Sequence, residues 1–289
     1  MKEANKKILR NSKFLKETIE ELCSYRLNEK AHSFPTYGPI SIGESVERSL
    51  DSFKSRRGKN AAITLLSVIL AANRNYNKVV EPNIKRIKNE YPKLKSLEDL
   101  QELVKKMSKR EFFSFWGHKD KKKYATLKLV LNAYSELKKI YSAKNSFSIM
   151  RKWAENADVE HLSDDIIGRI PNIGIATFQH LRMAYGVDTV KPDLRVKQVL
   201  RKRFGFQKVT DKNAIRIVEE MSKNTRWSVF ELDQIFVRYG SGYIDGGKKI
   251  EFPNQFDQKN IIRRLLAEGV KRDVISRVFE IDVDVIEAK

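Results

Sequence analysis

Apolar clusters alternate with charged stretches along this chain, and their spacing is almost everywhere that of a helix. In residues 1–30, Ile8, Phe14, Leu15, Ile19 and Leu22 recur at helical intervals among Lys and Glu. That pattern predicts one amphipathic helical arm that packs against a neighbour. Pro35, Gly38, Pro39 and Gly43 then interrupt any continuous helix. From Asn60 to Asn73 the chain is apolar nearly all round (Ala61, Ala62, Ile63, Leu65, Leu66, Val68, Ile69, Leu70), the signature of a helix at the centre of a domain. Further helical patterns cover 79–91, 97–107, 109–116, 125–140, 147–157, 195–204, 211–221 and 229–239. Beyond Pro253, the tracts 260–268, 272–279 and 283–288 are spaced like a small helix-turn-helix, although Asp284 and Glu287 in the last one suit packing or capping better than DNA recognition. No strand-like alternation competes, so the expected fold class is all-α.

Composition narrows the function. With 289 residues and 41% hydrophobic content, the chain can fill the core of one large domain or two smaller ones. Lys and Arg total 57 against 37 Asp and Glu, a formal net charge of +20, which makes a basic face for nucleic acid the leading explanation. A solvated lysine-rich surface is the alternative, and the Lys119-Asp120-Lys121-Lys122-Lys123 run reads as a solvated loop that could lie along phosphate. The single cysteine, Cys23, permits no internal disulfide and no cysteine-based metal or iron–sulfur site, and it points to a reducing cytoplasm. No apolar run approaches a membrane-spanning length, and the first residues lack the apolar core of a signal peptide.

The segment from Ser163 to Val196 concentrates the chemistry. Ser163, Asp164 and Asp165 form a plausible N-cap and acidic first turn for a short helix over 163–170, which Pro171 ends. Gly174 allows close backbone approach to a ligand, and a helix over 175–185 begins there with unpaired amides and the positive end of its dipole directed outward. That is an anion site, and phosphate is the natural anion for a basic protein; a ligand-free corner between helices is the other reading. Downstream, Val190-Lys191-Pro192-Asp193-Leu194-Arg195-Val196 places one carboxylate, Asp193, before the next helix, where it can also act as an N-cap.

Residues 170–196 resemble the helix-hairpin-helix plus Gly/Pro–Asp signature of the base-excision DNA glycosylase superfamily, which includes endonuclease III and the 3-methyladenine glycosylases. Ile170, Pro171, Asn172, Ile173, Gly174, Ile175, Ala176, Thr177 and Phe178 match its hairpin, and the family's catalytic aspartate falls on Asp193. Leu66 to Asn75 resembles the buried helix and DNA-inserting loop, and Phe230 to Gly240 the late helix, so the resemblance covers about residues 60–245 in order. It implies a two-lobed fold in four parts: an N-terminal arm (1–55) on the second lobe, a central bundle (56–186), a lobe carrying the catalytic Asp (187–250) and an added C-terminal extension (251–289). It further implies DNA contacts from Asn172, Ile173, Gly174, Ala176 and Thr177, and a wedge from Asn73, Arg74 and Asn75. The hairpin carbonyls of Ile170 and Ile173 are then a possible seat for a monovalent cation, and Trp116, Tyr124 and Tyr239 are candidate walls of a base pocket, with Trp153 and Trp227 as further stacking residues.

Departures from the pattern are informative. Asn172 stands where the family usually has the first hairpin glycine; Asn tolerates the left-handed conformation. Ala176 occupies the position of the nucleophilic lysine of bifunctional members, which implies hydrolysis without strand cleavage unless Lys191 or Lys197 substitutes. Asp188 is a rival carboxylate, but it follows Gly186 too closely to match the family spacing. The four cysteines of the iron–sulfur members are absent, and no cofactor is expected. The combined expectation is a monomeric, cytoplasmic, monofunctional glycosylase acting on a damaged or modified base flipped from double-stranded DNA, in host repair or in defence against phage with modified DNA. A non-catalytic DNA-binding protein and a lyase with a displaced lysine are the alternatives.

Overall fold

The computed structural model describes residues 3–28, 40–55, 60–242, 244, 265, 266, 269 and 272. The proposed C-terminal extension (251–289), with its helix-turn-helix spacing, lies almost wholly outside the described residues, as does most of the turn-rich interval that begins at Ser33. Among the described residues the fold is all-α. In chain order the helices are α1 (Glu3–Arg10), α2 (Ser12–Ser24), α3 (Ile42–Ser55), α4 (Ala61–Ala71), α5 (Glu81–Glu90), α6 (Leu97–Lys106), α7 (Lys109–Trp116), α8 (Lys121–Ile140), α9 (Ser146–Asn156), α10 (Ile175–Ala184), α11 (Leu194–Phe204), α12 (Asp211–Asn224) and α13 (Val229–Gly240). A π-turn (Tyr76–Val80) leads into α5, and a 3-10 turn (Val159–His161) follows α9. No strand forms among the described residues; two isolated antiparallel bridges pair Arg26 with Ser41 and Leu27 with Ile244.

The chain divides into two compact units, one from Met1–Ser52 with Pro192–Lys289, the other Phe53–Lys191. In the first, α2 packs on α11 and α13, and α1 on α12. The expected single N-terminal helix is two, because Asn11 leaves helical geometry (φ −86°, ψ 76°) and its side chain accepts the Phe14 amide at 3.0 Å to start α2. Local capping thus overrides an uninterrupted amphipathic pattern. Asn5 is buried and fastens α1 to the α11–α12 connection: its Nδ2 donates to the Gln207 carbonyl at 3.0 Å, and its Oδ1 accepts the Gln207 amide at 2.9 Å. Arg238 on α13 is half-buried; it donates to Ser45 at 2.9 Å and Ser49 at 2.6 Å on α3, and desolvation pushes its guanidinium pKa down to about 10.

The second unit is organised by α4, whose side chains at Ala61, Ala62, Ile63, Leu65, Leu66, Val68, Ile69, Leu70 and Ala71 are buried against α5, α6, α8 and α10. At its start Asn60 accepts the Ile63 amide at 2.9 Å, and Tyr185, just past α10, donates to the Ala61 carbonyl at 3.2 Å. Helix α8 begins at Lys121, earlier than expected, because the Asp120 carboxylate accepts the amides of Lys122 and Lys123 at 2.9 and 3.1 Å. The lysine run read as a loop is therefore a cap and a first helical turn.

Asn5→Ala removes the two side-chain hydrogen bonds to the Gln207 backbone, and losing part-buried bonds of this kind costs about 1–3 kcal/mol. Equilibrium denaturation of the variant is expected to show that loss. An unchanged midpoint would mean that water replaces the side chain fully.

Candidate functional site

The hairpin is built differently from its sequence expectation on one side and as expected on the other. Residues 163–170 are a succession of turns, not a short helix. Asp165 is the reason: Oδ1 accepts the amides of Ile167 at 2.8 Å and Gly168 at 2.7 Å, which substitutes a side chain for the carbonyl a helix would use. The same carboxylate accepts the Trp153 indole N–H, at 3.2 and 3.0 Å from its two oxygens, tying the turn to α9. Gly168 has no room for a side chain, since a Cβ there would lie 2.3 Å from the Leu162 carbonyl oxygen.

At the tip, Asn172 takes the left-handed conformation with φ 70°, and the Ile173 amide closes the turn on the Ile170 carbonyl at 3.0 Å. The Asn172 side chain also has a task a glycine could not perform. Its Nδ2 donates to Thr126 Oγ1 at 3.2 Å, and that hydroxyl donates to the Pro171 carbonyl at 3.0 Å, so the turn is fastened to α8. Ile173 is buried beneath it, while Pro171, Asn172 and Gly174 are exposed. Helix α10 then starts at Gly174 (φ −91°, ψ 176°) with no side-chain cap and no acidic residue in its first turn, and a Cβ at Gly174 would meet nothing within 4 Å. The first amides of α10 thus have no side-chain cap and begin beside an exposed turn, which is compatible with an anion site. Ala176 and Thr177 are half-buried in that first turn, and Ala176 brings only a methyl group. The Ile170 carbonyl, named as a possible cation ligand with that of Ile173, is already an acceptor for the Ile173 amide.

Asp193 is the N-cap of α11. Its Oδ1 accepts the amides of Arg195 at 2.8 Å and Val196 at 3.2 Å, which fixes the orientation of a half-buried carboxylate. The next residue, Leu194, is 59% exposed, unusual for a leucine and unexpected from the sequence. Of the two lysines that could replace the missing nucleophile, Lys197 is paired with Asp211 at 2.5 Å, and Lys191 is half-buried. His180 on α10 is held well below its ordinary pKa, first by desolvation and then by the charge of Lys191, so its imidazole is neutral at neutral pH. Asp188 is exposed.

Asn73, Arg74 and Asn75 form an exposed turn after α4, with Asn73 left-handed at φ 54°, and Asn75 caps the π-turn by accepting the Lys78 amide at 3.0 Å. Arg74 is anchored: Nε donates to His118 Nε2 at 3.3 Å, and Nη2 lies 3.6 Å from Asp120. Lys123 closes the end of α4, donating to the carbonyls of Leu70 and Ala72 at 2.6 and 2.5 Å, and burial followed by the Arg74 charge pushes its pKa down to about 8. The sequence signalled neither link, because both join residues more than forty positions apart. Tyr76, 38% exposed, extends the loop, and nothing in its sequence setting marks it as exposed.

The aromatic candidates separate. Trp116 is fully buried, its ring 5.3 Å from that of Phe112, and Tyr239 is buried in the other unit with Tyr25 at 5.2 Å and the Arg203 guanidinium over its ring. Both are core residues with almost no surface for an incoming base, a correction to their expected place in a pocket wall. Trp153 and Trp227 are buried as well. Tyr124 is half-buried beside Phe112 and Phe113, at 4.9 and 5.8 Å, and keeps exposed surface.

Among the described residues, no cluster of His, Cys, Asp or Glu could hold a metal ion, and no helix is long and apolar enough to cross a membrane. The chain matches no protein-family model, no curated protein and no solved structure. What the site can do therefore follows from its own residues.

The two hairpin glycines should respond in opposite ways. Gly168→Ala forces the backbone away from Leu162 and is expected to cost about 1–3 kcal/mol in thermal or chemical denaturation. Gly174→Ala meets open space at an ordinary φ and should cost less than about 1 kcal/mol. Equal losses would contradict the geometry described.

His180 also makes stability depend on pH. The unfolded chain takes up this proton near pH 6.5 and the folded chain only well below it, so stability falls as pH drops through 6.5, by up to about 1.4 kcal/mol per pH unit. Replacing His180 with Gln should flatten part of that slope in denaturation curves between pH 7 and 5; an identical slope would show that the imidazole protonates freely in the fold.

Proposed function

We propose that this chain is a DNA glycosylase, with a run of turns in place of the first helix of a helix-hairpin-helix, that hydrolyses the N-glycosidic bond of a damaged or modified base turned out of duplex DNA. The observation that carries this reading is the exposed, uncapped start of α10 at Gly174, on a chain of net charge +20. Backbone amides with no side-chain cap, at a glycine the fold itself does not demand, suit a DNA phosphate. In this reading the two compact units are the two lobes of the glycosylase fold.

Asp193 is the proposed catalytic carboxylate. As the base leaves, the deoxyribose develops oxocarbenium character, which a nearby carboxylate stabilises while it orients or deprotonates the attacking water. The α11 cap supports the role by holding Oδ1 in one direction. Ala176 supplies no amine for a Schiff base at C1′ and Lys197 is paired, so the product is an abasic site in an uncut strand. Capping alone would also account for Asp193, which favours a non-catalytic DNA-binding protein as the second reading.

Product analysis separates the two. Mass spectrometry of bases released from a panel of damaged and phage-modified duplexes is expected to find a free base, with strand cleavage only after alkali and no borohydride-trapped adduct. Asp193→Asn keeps an N-capping side chain and should lower base release on the order of 10²-fold or more while DNA binding persists. Binding without release from any substrate would establish the second reading, and a trapped adduct on Lys191 would establish a lyase.

A further inference from the structure

The hairpin is fastened to α8 at Thr126, and this defines what lies beside it. Lys122 precedes Thr126 by four residues and Leu129 follows it by three, so both share the Thr126 side of α8, with Ala125 next to them. All three are exposed, Leu129 at 40%. Val130, Leu127 and Lys123, on the other flank of Thr126, are buried or half-buried, so the open flank is the one carrying Lys122, Ala125 and Leu129. From Lys121 to Ser135 the helix contains no carboxylate, while Lys121, Lys122 and Lys128 are all exposed. The nearest acid before this stretch, Asp120, is committed to the amides of Lys122 and Lys123, and the next after it, Glu136, lies 3.9 Å from Arg169 of the hairpin's first arm.

Resting on the hairpin as a phosphate site, we infer that this face of α8 is a second stretch of the duplex-binding surface. Lys122 takes a backbone phosphate on one side of the Thr126 attachment, and Leu129, one turn beyond it, lies against a sugar edge. The charge selects the occupant: a second copy of so basic a chain would be repelled, whereas a polyanion is drawn to a face with lysines and no free acid. Rigid attachment through Thr126 means that the two contacts keep one spacing, which suits a regular backbone.

Fluorescence anisotropy on an undamaged duplex between 50 and 200 mM salt tests this. Lys122→Ala should reduce the slope of log K against log salt by about 1, as loss of one phosphate contact does. Ala125→Glu removes no functional group and keeps a good helix former, yet should weaken binding at least about tenfold at low salt by facing phosphate with a like charge. Lys139→Ala, about 25 Å from Lys122 along the helix axis, serves as the charge-matched comparison and should leave the slope unchanged. If Lys122→Ala and Ala125→Glu behave like Lys139→Ala while Gly174→Val weakens binding, the α8 face is not a contact and the hairpin site stands. If Gly174→Val is also without effect, the hairpin reading fails with it.

Discussion

Every α-helix leaves its first amides without intrahelical partners, and a chain made of many short helices must satisfy them many times over. This protein does so with side chains placed at the helix starts: Asn11, Ser41, Asn60, Ser96, Ser108, Asp120, Asn145, Asp193, Thr210 and Ser228 each accept amides of the turn that follows. Helix α5 is continuous with the π-turn before it. Helix α10 stands apart, beginning at an exposed glycine. Among the described residues, α10 thus differs from the ten starts named above in having no side-chain acceptor for its first amides.

Much of the fold was legible because its largest signals are local. The nearly all-apolar run of α4 announces a central helix, and it is buried along all but the stripe of Thr64 and Ser67. The limits of α7, α11 and α13 follow from a Ser or Asp before the apolar pattern and a Gly at or after its end. The misreadings have one physical origin: a polar side chain near the backbone decides where a helix stops, and hydrophobic spacing does not report it. Asn11 splits the N-terminal arm, Asp120 extends α8 backward, and Asp165 turns an expected helix into a chain of turns.

The candidate site shows the same division. The helix start at Gly174, the left-handed Asn172 and the cap at Asp193 could be read from sequence because each is set by local backbone. The Thr126 fastening, the Lys123 closure of α4 and the Arg74–His118 contact could not, since they join residues distant in sequence. Trp116 and Tyr239 were misplaced for a related reason: an aromatic ring has the same sequence signature in a core as in a pocket.

The capping role of Asp193 bears on how the proposed activity could be lost as this chain diverges. A carboxylate that caps α11 is retained for folding whether or not it meets a sugar, so selection for a stable helix alone would keep Asp, Asn, Ser or Thr there. The cap alone would therefore keep a polar residue at this position in diverged copies, and on the proposed reading an Asp there would distinguish active from inert copies less sharply than a catalytic carboxylate that caps no helix.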